Sequence, residues 1–235
     1  MTFKIKPEKI VPLFENFSQF IDEATIIVDE KGLKSIASDR AMVCVFSLEI
    51  PKTDFELFEL DRKKTNVQLD ILNFTEILKR AKDELITLDI GKKNMKIGFD
   101  TIRKFTIPYL DLTEEELPKI SELKFTSSFR IPVDILETAI KDGVIIGEHL
   151  DIKTEEEEVI FLTRSDVSEV ETEVFKDKLS VLNGKANARY PLDYLKKLKF
   201  ENIDEVEILF GKDYPLKIVF GNCFIILAPR VDYDE

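Results

Sequence analysis

The sequence predicts an α+β fold made of two similar modules, each an antiparallel sheet carrying two amphipathic helices. Three observations lead there. Segments with apolar residues at every second position alternate with segments whose apolar residues recur every three or four. A stretch near the start returns in kind halfway along the 235 residues. An acidic stretch without clean periodicity separates the two copies.

The elements can be justified in order. A short alternating strand at Phe3 is followed by a proline and a helix-period run at Ile10, Leu13, Phe14, Phe17, Phe20 and Ile21. The segments "ATIIVDE" and "MVCVFSLEI" read as strands, with Glu30-Lys31-Gly32 as a turn. A second helical period covers Ile71, Phe74, Ile77, Leu78 and Ala81, and "ELITLDIG" and "MKIGF" form a hairpin around Lys92-Lys93-Asn94. The second half repeats this plan. Helical periods fall at Val133, Leu136, Ala139 and Ile140 and at Leu192, Leu195 and Leu198, with "HLDIKT", "EVIFLTR", "EVEILFG", "LKIVFG" and the closing apolar run as strands. Helices that cover one face of an antiparallel sheet leave its other face open, which makes the class α+β.

The repeat is specific in spacing. "FKIKPEKIVPLFENF" at Phe3 matches "FRIPVDILETAIKDG" at Phe129 with an offset of 126, Ser38-Asp39 matches Ser165-Asp166 at 127, and "GKKNMKIGF" at Gly91 matches "GKDYPLKIVF" at Gly211 at 120. A module of about 110 residues used twice must be recognised before the fold is assigned. We place the modules at 1–110 and 125–235, joined by a connector over 111–124 that holds Pro118 and a run of glutamates.

Composition bounds the function. Apolar residues make up 44% of the chain and include 18 phenylalanines, enough for a substantial core, while 34% charged residues and the lack of any apolar run near the ~18 residues of a membrane span argue against a membrane protein. The expected location is the cytoplasm. Cys44 and Cys223 are too few and too isolated for a disulfide framework, and they read as small buried hydrophobes. The net charge of −12 excludes a surface that binds nucleic acid everywhere, but it permits a local basic face.

Such a face is suggested by Lys79, Arg80 and Lys82 on the second helix and by Lys196, Lys197 and Lys199 on the fourth; Lys141 stands among acids on the third. Lysines near helix ends can simply complement the helix dipole. Their recurrence at equivalent places in two modules also suits a phosphate backbone, which requires positive charge at intervals.

Catalytic constellations are missing from the sequence. It holds no phosphate-binding glycine loop, no dinucleotide fingerprint and no zinc motif, and His149 is the single histidine. The acidic runs at Glu155 to Glu158, Glu114 to Glu116 and the C-terminal "DYDE" read as exposed turn or linker charge, with no metal or cofactor expected.

Several motifs in order then resemble one family. "SDRAMV" at Ser38 to Val43, "DYPL" at Asp213 to Leu216 and "LAPR" at Leu227 to Arg230, set within a duplicated module, are similar to the sliding clamp of the proliferating cell nuclear antigen type, in an archaeal version. The resemblance covers nearly the whole chain. It implies the DNA-clamp fold: three subunits in a pseudo-sixfold ring, helices around a central hole and sheets outside. The implied partners are double-stranded DNA held without sequence readout, a DNA polymerase, a flap endonuclease, a DNA ligase and a clamp loader, with no catalytic activity of the clamp itself.

Site residues carry over from the resemblance. Lys79, Lys141 and Lys197 would face DNA, with Arg80, Lys82, Lys196 and Lys199 nearby. The pocket for partner peptides of the PIP-box type would be Val43, Leu117, Pro118, Pro215, Ala228 and Pro229, flanked by Met42 and Arg230. Ring closure would pair Arg103–Leu110 with Glu171–Leu179 of the next subunit, through Arg103, Phe105, Ile107, Thr172, Val174 and Phe175. Glu76, where the family often has lysine, the barely basic first helix and the short connector depart from the pattern. A second reading stays open, in which the chain is one dedicated subunit of a heterotrimer, or a regulatory module that does not encircle DNA alone.

Overall fold

The computed structural model describes residues 1–100, 102–111 and 120–231. The chain divides into two compact units, Met1–Leu117 and Pro118–Glu235.

The first unit runs β1 (Thr2–Ile5), α1 (Pro7–Phe17), β2 (Glu23–Asp29), β3 (Gly32–Ser38), β4 (Cys44–Pro51), β5 (Phe55–Glu59), β6 (Lys64–Asp70), α2 (Ile71–Leu78), β7 (Ile86–Ile90), β8 (Asn94–Phe99) and β9 (Arg103–Pro108). The second runs β10 (Ser127–Pro132), α3 (Val133–Ile146), β11 (His149–Thr154), β12 (Glu158–Arg164), β13 (Glu169–Phe175), β14 (Val181–Asn183), β15 (Ala186–Pro191), α4 (Leu192–Leu195), β16 (Glu205–Phe210), β17 (Leu216–Phe220) and β18 (Cys223–Leu227).

Strand order makes the duplication explicit. The first unit contains the runs β5-β1-β7-β8-β9 and β4-β3-β2-β6, and the second contains β14-β10-β16-β17-β18 and β13-β12-β11-β15. Substituting each strand by its counterpart nine places later converts one pair of runs into the other. Neighbouring strands within each unit pair antiparallel, so the α+β class holds.

Alternation along the strands fills the cores. Phe3, Ile5, Leu88, Ile97 and Phe99 are buried from one sheet of the first unit, and Ile26, Val28, Phe46, Leu48, Val67 and Leu69 from the other. The rings of Phe14 on α1 and Phe74 on α2 meet edge-on at 4.9 Å, and Phe17 meets Phe46 at 5.5 Å. In the second unit Phe129 of β10 meets Phe161 of β12 at 6.1 Å, joining its two sheets across the core. Edge-to-face rings contribute beyond their buried area.

Two glycines are required by space. Gly32 has φ of +145°, and a Cβ there would fall 2.1 Å from the Ile50 carbonyl oxygen. Asp29 secures the same turn: its Oδ1 accepts from the Lys31 amide at 2.9 Å, and this bond, with help from Lys34, holds its carboxyl below the usual range. Gly143 lets α3 approach β12, since a Cβ there would stand 2.7 Å from Thr163 Oγ1.

The helices end earlier than their apolar periods suggest. α1 stops at Phe17, and Phe20 and Ile21 are buried beyond it. α2 stops at Leu78, and Lys79–Ala81 form a 3-10 turn. α4 is a single turn, after which Lys197 and Leu198 donate their amides only three residues back, to Tyr194 and Leu195. Buried Ala81 and Leu198 keep the apolar period alive in tightened backbone, so periodicity overstates helix length. The ring-closing segment expected at Glu171–Leu179 is likewise displaced, because β13 ends at Phe175 and Lys176–Lys178 turn away as 3-10.

Candidate nucleic-acid and subunit surfaces

The basic residues of the first unit gather at the end of α2. Asp70 caps the start of this helix by accepting from the Asn73 amide at 2.8 Å, and Thr75 Oγ1 donates to the Phe14 carbonyl at 3.3 Å, fixing α2 against α1. Lys79 is the C-cap residue, where a cation complements the carbonyl end of the helix dipole. Its ammonium lies 2.8 Å from Glu76 and 3.8 Å from Glu15, and the hydrogen bond to Glu76 raises its pKa. Lys79, Arg80, Lys82, Glu84 and Arg103 line a cavity of about 270 Å³. Glu84 is bound by Arg103, whose guanidinium lies 5.0 Å from the centre of the Phe99 ring. Arg80 and Lys82 form no ion pair among the described residues, and Lys82 has a φ of +51°, uncommon for a bulky side chain.

The second unit places its cations on α3 and after α4. Lys141 reaches Glu137 at 2.6 Å, one turn back on the same helix. Lys196 is the C-cap of α4, the same station that Lys79 holds on α2. Lys197 stands 5.2 Å from the centre of the Tyr194 ring. Lys141, Lys196 and Lys199 border a groove of about 510 Å³ whose floor includes Ile140, Val144, Leu195, Leu198 and Phe200. The DNA-facing candidates thus lie largely on helix ends and turns, with Lys141 alone inside a helix, and Lys79 and Lys141 already share their charge with glutamates.

The apolar docking candidates occupy loops. Asp39 organises the turn between β3 and β4: its Oδ1 accepts from the Val43 and Cys44 amides at 2.9 and 2.8 Å. Inside that turn Met42 has φ of +56° and is 57% exposed, with the Ser38 hydroxyl donating to its sulfur at 3.1 Å. Val43 is half-buried. In the second unit Pro215, Ala228 and Pro229 are half-buried and Arg230 is exposed, its amide donating to the Arg189 carbonyl at 2.8 Å. Tyr190 donates its hydroxyl to the Tyr214 carbonyl at 2.8 Å beside Pro215. Leu117 and Pro118 lie outside the described residues.

β9 bonds only to β8, and β13 only to β12, so each ends its sheet within its own unit. Ile107 and Val174 are buried in the cores of their own units, whereas Phe175 is 54% exposed and Arg103, Phe105 and Thr172 are half-buried.

The model of the proliferating cell nuclear antigen N-terminal domain matches residues 8–107. The DNA polymerase sliding clamp of Methanococcus maripaludis is 30% identical to the chain, the match covering 92% of each protein. The chain belongs to the DNA polymerase sliding clamp family. Its fold is that of the family's solved members. Archaeoglobus PCNA, crystallised as A. fulgidus PCNA with the C-terminal region of FEN-1, superposes with a TM-score of 0.90 at 23% identity over 99% of both chains. The PCNA2–PCNA3 complex of Sulfolobus tokodaii gives 0.86 at 26% identity, covering 98% of this chain and 99% of that one.

For a sliding clamp, the acidic run at Glu155 to Glu158 behaves as surface charge. Glu155 lies 2.9 Å from Lys153, Glu156 2.9 Å from Lys185 and Glu157 3.2 Å from Lys176, and these lysines hold the Glu155 and Glu156 carboxyls below their usual range. Sequence reasoning missed Lys104 and Glu173, the charged residues that alternate outward on the two free edges. Their signal was the strict alternation of β9 and β13, which is readable only once both are known to be edges.

Proposed function

We propose that this chain is a clamp subunit that surrounds duplex DNA without reading its sequence and tethers replication and repair enzymes to it, with no catalysis of its own. One observation carries the reading: a single strand order used twice, with a C-cap lysine at the same station of both modules. Repeated modules bearing cations at repeated positions match a backbone whose charge repeats, and lysines partly neutralised by glutamates give contacts weak enough to slide.

Met42 and Val43 on the first module, Pro215, Ala228, Pro229 and Arg230 on the second, and Leu117 and Pro118 in the connector are proposed to receive partner peptides of the PIP-box type. The partners in view are a polymerase, a flap nuclease, a ligase and a clamp loader. The flap-nuclease peptide on A. fulgidus PCNA supports that mode for this chain.

Retention on DNA tests the proposal. After loading onto a nicked circular plasmid, the clamp is expected to stay bound through a high-salt wash and to leave when the circle is linearised. Equal retention on circular and linear DNA would mean that it does not surround the duplex.

A further inference from the structure

The clamp reading leaves open what occupies the free edges of β9 and β13, and the charges along these strands bear on that question. On β9 the exposed residues are Lys104, Thr106 and Pro108, while Arg103, Phe105 and Ile107 face inward. On β13 the exposed residues are Glu169, Glu171, Glu173 and Phe175, while Val170, Thr172 and Val174 face inward. Glu169 is taken by Arg164 at 3.0 Å, but Glu171, Glu173 and Lys104 form no ion pair among the described residues. The margin beside β9 is basic as well, since Arg80 and Lys82 line the cavity that Arg103 shares. One edge is therefore cationic and the other anionic, on the same chain.

Resting on the clamp reading, we infer that the partner across these edges is a second copy of this chain, joined antiparallel with Lys104 opposite Glu173. Two sheets can join with their apolar faces on one side only if the even-numbered outward residues of β9 stand opposite the odd-numbered outward residues of β13. Among such registers, setting Lys104 opposite Glu173 also sets Thr106 opposite Glu171 and Ile102 opposite Phe175. Ile102 is 89% exposed and Phe175 54% exposed, and both are apolar residues without cover at the ends of their strands. A single register thus pairs the free charges and covers two exposed hydrophobes, and it closes edges that would otherwise invite indiscriminate strand addition. In this arrangement Arg80 and Lys82 serve the subunit contact, which moves them away from the DNA-facing set.

Charge reversal, read by sedimentation across a salt series, tests the inference. The wild-type chain alone is expected to sediment at three times its 27.2 kDa mass and to loosen as salt rises. Lys104→Glu or Glu173→Lys singly should weaken association about tenfold, because a like charge then stands opposite. The double variant Lys104→Glu/Glu173→Lys restores opposite signs and should reassemble, an outcome that misfolding of either single variant cannot imitate. A wild-type chain that stays at 27.2 kDa at every salt concentration, or single reversals that assemble as well as wild type, would overturn the inference. If the chain stayed single but formed a DNA-retaining ring with a related clamp chain, the homotypic pairing would fall and the clamp reading would stand.

Discussion

Replacing Asp39 by alanine should loosen the turn that presents Met42. Asp39 Oδ1 accepts from two consecutive amides, Val43 at 2.9 Å and Cys44 at 2.8 Å, both partly buried. Bonds from amides to a carboxylate are charge-assisted, and their loss strands two donors near the buried start of β4, so the cost should be about 2–3 kcal/mol. For a module of about 117 residues this corresponds to roughly 6–12 °C in the unfolding midpoint. Asp39→Asn keeps an acceptor at the same place and should cost about 1 kcal/mol or less. Met42, held at a φ of +56° inside this turn, should relax toward an ordinary conformation in the alanine variant. Thermal and denaturant unfolding followed by circular dichroism measure the cost, and calorimetric titration with a PIP-box peptide measures the effect on docking. An alanine variant within about 0.5 kcal/mol of wild type, or an asparagine variant as damaged as the alanine one, would refute the role given to the carboxylate.

Three further outcomes are expected. Substituting Lys79, Lys196 and Lys197 by alanine should lower the slope of log affinity against log salt for DNA by about two, because each free phosphate contact carries about 0.9 and Lys79 is already shared with Glu76 and Glu15; an unchanged slope would remove these residues from the DNA surface. Thr163→Val should stabilise the second unit by about 1 kcal/mol, since Thr163 Oγ1 is buried without a hydrogen-bond partner among the described residues, and a lower midpoint would contradict it. Burial pushes the Cys223 thiol from 9.0 up to about 12, so the native state favours the neutral thiol. Its stabilising contribution is complete below about pH 9 and declines as pH rises toward 12. At pH 8 a disulfide reagent should modify Cys223 only after unfolding, and rapid labelling of the folded chain would contradict its burial.

Strong alternation was legible where a strand lies mid-sheet with a buried face, as in β2, β4, β7, β12, β16 and β17. Strands β5 and β6, the first "FELFE" and the second "KTNVQLD", gave no clear signal because they lie at sheet edges and hide few residues. The three-residue β14 is too short to show any period. Helix ends were blurred for a different reason: Ala81 and Leu198 are buried in tightened turns, and a 3-10 turn keeps residues three apart on one side, as a helix does. The basic residues were legible as a set, but not their partners, because Glu15 and Glu84 reach Lys79 and Arg103 from other elements.

By itself the sequence determined the α+β class, the twofold repeat and the family, because periodicity and ordered motifs are local properties that survive in one dimension. Tertiary structure alone decided which strands remain as edges, which cations are already neutralised, and that Ile107 and Val174 belong to the cores of their units. Each of these depends on which distant residue lies alongside, and strand pairing over tens of residues leaves no mark in the local pattern.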